Sequence, residues 1–262
     1  INKKSGKGRN KVAVTAAEPE PELDLTIPDL ILWLDAKDAS TLTISGSNRI
    51  SEWRDKSGAT YTHAGVGDNH HFGQSNSAYQ PVYIPAGGGG AFSSKGGAVS
   101  IGIVDGSQTY LQSIYNWQSG NSSKHSTMFF VVSRRSEEST HQYVYILTSQ
   151  PMLQFKNNKF RALWGAAVLD STTTIVDGTK YLQTLTHKGT GTDDTMRING
   201  TEEDSNDINA TLNASNTFNY IGWPWSSGTP EAEIAEILIY RSILSDSDRD
   251  SVESYLMSKW GI

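Results

Sequence analysis

Hydrophobic residues along this chain come in short runs separated by Gly, Ser, Asn and Thr, the rhythm of strands and turns. The sharpest element boundary lies near the C-terminus. Ile234 to Tyr240 is continuously apolar apart from Glu236, which suits a strand buried on both faces. Ser245 can cap the first free N–H groups of a helix, and Asp248, three residues on, can reach back to it. Asp246, Asp248 and Asp250 place negative charge at the positive end of the helix dipole. Val252, Tyr255, Leu256 and Lys259 fall at helical spacing, so one stripe can dock on a sheet. Gly261 is placed to end the helix in a left-handed turn. The pattern predicts one terminal helix near Asp246 to Lys259.

Upstream the pattern is all strand. Thr127 to Val132, Gln142 to Thr148, Gln154 to Phe155, Phe160 to Trp164 and Lys180 to His187 read as a meander. Thr195 to Ile198 runs into Asn199-Gly200, a two-residue hairpin signal. Gly87 to Gly90 and Gly96-Gly97 mark a long loop. They lack the Lys-Ser/Thr and helix that a phosphate cradle needs. No internal repeat appears at a fixed period.

Several phrases, taken in order, carry a resemblance. The chain opens with Leu32-Trp33-Leu34-Asp35-Ala36, Asp38 and Trp53-Arg54-Asp55-Lys56-Ser57-Gly58. It closes with Phe218-Asn219-Tyr220-Ile221-Gly222, then Ile234-Ala235-Glu236-Ile237-Leu238-Ile239-Tyr240, Leu244-Ser245, Arg249, Tyr255-Leu256 and Lys259-Trp260-Gly261-Ile262. This set resembles the concanavalin A-like lectin/glucanase superfamily in its laminin-G-like branch, over Pro28 to Ile262. The resemblance implies an all-β, two-sheet antiparallel jelly-roll sandwich with a short C-terminal helix. It implies no particular ligand, because the fold hosts lectins, hydrolases, adhesins and structural modules.

Residues 1–27 differ in kind and are expected as an extended N-terminal arm or linker before a single 28–262 domain. Lys3, Lys4, Lys7, Arg9 and Lys11 form a basic block; Glu18-Pro19-Glu20-Pro21-Glu22 forms an acidic, proline-spaced one. Neither can bury a core. One reading is a flexible tail. The sharper one is an arm that docks the domain onto another protein subunit. The chain begins at Ile1, which leaves room for a missing N-terminal piece.

Composition narrows the function classes. Among 262 residues there are 24 Gly, 11 Tyr and 7 Trp, suited to short strands and frequent turns. A net charge of -6 argues against nucleic acid as the main partner. No run approaches the roughly 18 apolar residues of a membrane span. The absence of Cys excludes disulfides and thiolate chemistry.

For catalysis, glucanase relatives carry paired carboxylates on one strand in an E-x-D-x-E phrase, and retaining enzymes hold the two about 5–5.5 Å apart. Here Glu231 and Glu233 would share a face, while a regular strand sends Glu236 to the other. No hydrolase is expected, and no Ser-His-Asp set is legible. His70 and His71, beside Asp68 and Asn69 and near His63, read as a solvated polar loop and not a metal site. Calcium is the one cofactor the resemblance admits. Asp35 and Asp55 are the weak candidates, with Asp38, Asp105, Asp193 and Asp194 behind them, and both motif aspartates equally suit Asx turns.

Aromatics point to a ligand. Trp223-Pro224-Trp225 puts two indoles in a polar turn, either stacking a sugar ring or plugging the sandwich end. Trp164 and Asn219 complete the candidate ligand set. The expectation is a non-enzymatic, surface-displayed lectin-like module, extracellular or on a cell or virion surface, that binds glycan or cell-surface polymer. The alternatives are a structural decoration or fibre protein docked through the arm, compatible with a homo-oligomer, and third a glycoside hydrolase.

Overall fold

In the computed structural model of the chain, the described residues are 22–59, 61–63, 66–68, 70–113, 125–136, 142–147, 152–164, 167–189, 193–207, 219–222 and 231–262. The basic block Lys3, Lys4, Lys7, Arg9 and Lys11 and the loop carrying Trp223 and Trp225 lie outside them.

Among the described residues the chain forms two large antiparallel sheets and one helix. The first sheet runs in the order Thr201–Asp207, Asp193–Ile198, Tyr181–His187, Ser126–Arg134, Ala232–Tyr240, Gly97–Ile101, Val82–Pro85, and Leu30–Asp35 pairs with the Glu236-to-Tyr240 half of Ala232–Tyr240, whose Ala232-to-Ile234 end pairs with Gly97–Ile101. The second runs Ala167–Asp170, Lys159–Trp164, Met152–Lys156, Gln142–Leu147, Asn219–Ile221, Leu111–Ser113, Phe72–Gly73, Ile50–Trp53, Leu42–Ile44. The expected meander is present, with Met152–Lys156 longer than its two-residue apolar signal.

The two sheets enclose one core, with Leu34, Trp53, Met128, Phe130, Tyr145, Leu153, Phe160 and Ile237 inside. A second core lies on the outer face of the first sheet. There Phe129, Val131, Leu182, Leu238 and Tyr240 meet Val252, Leu256 and Trp260 of the C-terminal helix. Ser126–Arg134 and Ala232–Tyr240 are therefore buried on both faces, which is why they read as unbroken apolar runs. Leu23 and Ile27 belong to this outer core as well, so residues 22–27, expected with the arm, pack on the sandwich.

The helix spans Asp246–Trp260. The Ser245 hydroxyl accepts from Asp248 N at 3.1 Å, and Gly261, at φ 67°, closes the C-terminal turn by donating to Met257 O at 2.8 Å. Bulges re-aim two key strands. In Ala232–Tyr240 the register slips between Ile234 and Glu236, so Ala235 is the extra residue. Glu236 is thereby turned to the helix side with Glu233 instead of to the opposite face, correcting the regular-strand expectation. A matching slip at Ile31 places both Ile31 and Leu32 inward and leaves Trp33 and Asp35 facing the helix side.

The sandwich is laced along both long edges. On one, Asp170 N donates to Asp204 Oδ2 at 2.8 Å and Thr173 N to Glu203 Oε2 at 2.7 Å. The strand that supplies these carboxylates, T-E-E-D-S-N-D, is charged enough to deter edge-to-edge association. On the other, Tyr83 N donates to Asn48 O at 2.7 Å and Ile50 N to Pro81 O at 2.8 Å.

Candidate functional site

The opening and closing motifs converge on one buried charged knot between the helix and the first sheet. Glu236 is 0% exposed and accepts four hydrogen bonds. Trp33 Nε1 donates at 2.7 Å and Tyr255 Oη at 3.2 Å to Oε1; Trp260 Nε1 at 2.6 Å and Lys259 Nζ at 2.8 Å donate to Oε2. Lys259 spends its remaining donors on Asp35 Oδ2 and Tyr255 Oη, each at 3.0 Å. Lys56 then bridges Asp35 and Asp38, both at 3.0 Å, and lies 4.3 Å above the Trp33 ring. Burial pushes the Glu236 carboxyl up, against the pull of Lys259. Burial, then the Glu236 carboxylate, pushes the Tyr255 hydroxyl far above its ordinary value, keeping it a neutral donor. Burial opposes charge on Lys56, yet Asp35 and Asp38 raise it overall.

Asp55 does related work one layer in. Its Oδ1 accepts from Trp33 N and Ser57 N, each at 2.8 Å, and His70 Nδ1 lies 3.2 Å from Oδ2. His70 Nδ1 also meets Ile31 O at 2.5 Å. His70 is thus buried, and the solvated loop expected for it is corrected: the carboxylate and carbonyl below draw it in. His71 Nδ1 accepts from Asp55 N at 3.1 Å. Side chains at His63 and Asp68 lie outside the described set.

These donors do not fit calcium. Asp35 and Asp38 face lysines, and Asp55 is saturated by N–H, hydroxyl and imidazole groups. Asp105 pairs with Arg49 and Asp194 with His187; the Asp193 side chain is outside the described set. No cluster of three or more His or acidic side chains that could hold a metal occurs among the described residues. The knot's open side is a cleft of about 430 Å³ walled by Leu23 and Leu25. Its floor charges are already committed to one another.

One Ser, His and Asp do lie on neighbouring strands. Ser126 and His187 are register partners, and His187 Nδ1 lies 2.6 Å from Asp194 Oδ2 on the next strand. All three residues are fully buried and Ser126 Oγ has no hydrogen-bond partner among the described residues, so the His187–Asp194 contact links two strands of the sheet and the row offers no nucleophile to solvent.

A different kind of polar site lies at the sandwich rim. Three turns meet there. Ser45 to Asn48 form a turn in which Asn48 takes φ 56°. Asn76 caps the short 3-10 turn Ser77–Tyr79, its Oδ1 accepting from Ala78 N at 3.1 Å. Asp105-Gly106, at φ 52° and 79°, joins Ile103–Val104 to Ser107–Gln108 as a two-residue hairpin. Arg49 clips all three: Nη1 donates to Gln80 O at 2.9 Å and Nη2 pairs with Asp105 Oδ2 at 2.5 Å. Between them is an open cleft of about 400 Å³ lined by Ser45, Ser47, Arg49, Ser77, Asp105 and Ser107.

An aromatic group starts at Tyr79, the residue after Ala78 of the cleft lining. Tyr79, 40% exposed, stacks on Tyr110 with centroids 5.9 Å apart and planes 30° apart. Tyr110 contacts Tyr220 at 6.1 Å. Tyr110 N donates to Tyr79 O at 2.9 Å, which locks the turn to the sheet. Gly222, at φ +81°, abuts Thr109 O and Tyr110 so closely that a Cβ would fall 2.6 Å from that carbonyl. Asn219–Ile221 therefore ends, at Gly222, right beside Tyr110.

The remaining ligand candidates lie elsewhere. Asn219 is buried in register with Ser113 and Leu147, beside a closed hollow of about 10 Å³. Trp164 ends its strand opposite Ala167, and its side chain is outside the described set. Glu231 and Glu233 both reach Arg135, at 3.5 and 4.0 Å. Glu231 also accepts from Ile103 N at 2.9 Å, and Glu233, almost fully buried, from Ala91 N at 2.8 Å. Sequence reasoning missed Tyr79, Arg49 and Asp105 as a group. The Asp-Gly hairpin signal at Asp105 was the one available clue.

A scan of protein-family models and a search of curated proteins return no match. Solved structures do resemble the fold. The binding domain of Paraclostridial Mosquitocidal Protein 1 aligns with a TM-score of 0.60 at 14% identity, over 91% of this chain and 56% of that one. The binding domain of botulinum neurotoxin DC in complex with SialylT gives 0.52 at 11%, over 87% and 52%. Trypanosoma rangeli sialidase in complex with 2,3-difluorosialic acid gives 0.51 at 15%, over 87% and 33%. The chain spans between a third and just over half of these proteins. At such identities the likeness shows the fold alone: a sheet-rich sandwich.

Proposed function

We propose that this chain is a non-enzymatic carbohydrate-binding module, lectin-like and of the concanavalin A-like, laminin-G-like type, working outside the cell. The observation that carries the reading is the rim: an exposed Tyr79 stacked on a half-buried Tyr110, beside an open cleft lined by four serines, a guanidinium and a carboxylate. A ring face suits the C–H face of a pyranose, and convergent polar groups suit its hydroxyls. Trp223 and Trp225, the two indoles that follow Gly222 in the sequence, are the further stacking candidates to test. The carboxylates that a glycosidase would need are spent: Glu236 and Glu233 are buried, and Glu231 is tied to Ile103 N and Arg135. Two of the similar folds are named as binding domains of toxins, which supports the same reading.

The test is a glycan array followed by calorimetric titration of its hits, with Tyr79→Ala, Trp223→Ala and Trp225→Ala beside the unaltered chain. Binding without turnover, weakened at least about tenfold by Tyr79→Ala, is expected. Polysaccharide cleavage that Glu231→Gln abolishes, or binding indifferent to all three aromatic changes, overturns the proposal.

A further inference from the structure

We infer that the rim cleft takes uncharged sugars and turns away carboxylated or sulfated ones, and that Asp105 sets this preference. The inference rests on the carbohydrate reading of the cleft. It goes beyond that reading by fixing the charge class of the ligand.

The charges of the cleft decide the matter. Arg49 is the single cation among its lining residues. Its side chain is 11% exposed, with one nitrogen on Gln80 O and another on Asp105 Oδ2. A guanidinium so placed cannot present the two parallel N–H groups that a carboxylate or sulfate ligand requires. Asp105 is its opposite: 87% of the side chain is exposed, and only Oδ2 is engaged by Arg49. The carboxylate is thus held in a fixed direction with its other oxygen open. That is an acceptor for a pair of adjacent sugar hydroxyls and an obstacle to an anion. The serines add neutral groups that both donate and accept.

Among the described residues that line the cleft there is no second cation. Glu231, which holds the base of the Ile103 hairpin, is matched by Arg135 at 3.5 Å. The stretch W-P-W-S-S-G-T-P that follows Gly222 in the sequence contains no Lys or Arg. An anionic sugar at this site would meet Asp105 with no free positive partner in the cleft. A neutral one meets an aromatic face, four hydroxyls and one oriented carboxylate.

The experiment uses the full chain and matched oligosaccharides that differ only in a terminal sialic acid. Affinities for both are measured for the unaltered protein, Asp105→Asn and Tyr79→Ala at constant salt. Asn-Gly favours the same hairpin turn as Asp-Gly, so Asp105→Asn leaves the scaffold intact. The unaltered chain should bind the neutral member at least about tenfold more tightly. Asp105→Asn should weaken the neutral member and strengthen the sialylated one, because Arg49 is left uncompensated. If the sialylated member binds as well or better, and Tyr79→Ala still abolishes binding, the cleft is a sugar site but the charge inference is overturned. If neither oligosaccharide binds, or both variants bind like the unaltered chain, the carbohydrate reading falls and the inference with it.

Discussion

Two polar regions of this sandwich differ in where their charges go. Under the helix, Glu236, Asp35, Lys259 and Lys56 turn inward and satisfy one another. At the rim, Arg49 turns inward while Asp105 and Tyr79 stay open. The first arrangement joins two strands, a loop and the helix, and its charges are matched by one another. The second fixes three turns with a single buried cation and leaves acceptors and a ring face unspent. Chemistry-rich residues can therefore be scaffold, and plain loop residues can be the site. What separates them is whether their bonding capacity is used up.

The largest effect should come from breaking the knot. Lys259→Met leaves Asp35 without one of its two lysines and Glu236 buried without any. Removing one partner of a buried pair costs about 3–5 kcal/mol. For a chain of this size that lowers Tm by on the order of 10 °C. Affinity at the rim, measured on the fraction still folded, should not change. A Lys259→Met protein that melts with the unaltered chain would show that the knot is ornamental to stability and dissolve the contrast.

A milder cut sharpens it. Tyr255→Phe keeps the ring and removes the hydroxyl that donates to Glu236 and accepts from Lys259. The expected loss is about 1–3 kcal/mol by urea unfolding, with the slope unchanged. At the rim, Tyr79→Ala should do the reverse. It should cost under about 1 kcal/mol of stability, since the ring is partly exposed and loses one stacking contact. Its effect should appear in binding. If Tyr79→Ala destabilises more than Tyr255→Phe, the rim is scaffold too.

The sequence made the knot's elements legible and its meaning illegible. Leu32 to Asp35, Trp53 to Gly58 and the Ile234-to-Ile262 ending marked the sheet pair and the helix, because apolar periodicity and caps are local signals. That they converge is a long-range fact, created by two bulges that no local pattern announced. Lys259 on the buried stripe was the overlooked hint: a lysine there requires a buried acid, and Glu236 is the acid in an otherwise apolar run. The rim was harder. Ser45 to Arg49, Asn76 to Tyr79 and Asp105 to Ser107 each read as ordinary turns. Only tertiary assembly through Arg49 makes them one cleft. His70 misled for the same reason, since its partner Ile31 O belongs to a distant strand.

Glu233 lies between the two cases and gives the finest test. It shares the helix-side face of the strand with Glu236 but has no lysine. It accepts from Ala91 N at 2.8 Å and anchors the glycine-rich loop at Gly90, with Arg135 4.0 Å away. Burial raises its carboxyl above the ordinary 4.5, against the pull of the loop N–H groups and Arg135. Between the unfolded and the raised folded value the native state holds more protons, so this group's contribution to stability falls as pH rises through that window. Glu233→Gln keeps an acceptor for Ala91 N and removes the titration. Melts from about pH 4 to about pH 8 should show the variant gaining on the unaltered chain as pH rises, by less than either knot substitution costs. A variant that instead loses ground with rising pH would mean that the ionised Glu233 is a net stabiliser. The line between spent and unspent charge would then have to be drawn with Glu233 inside the knot's class.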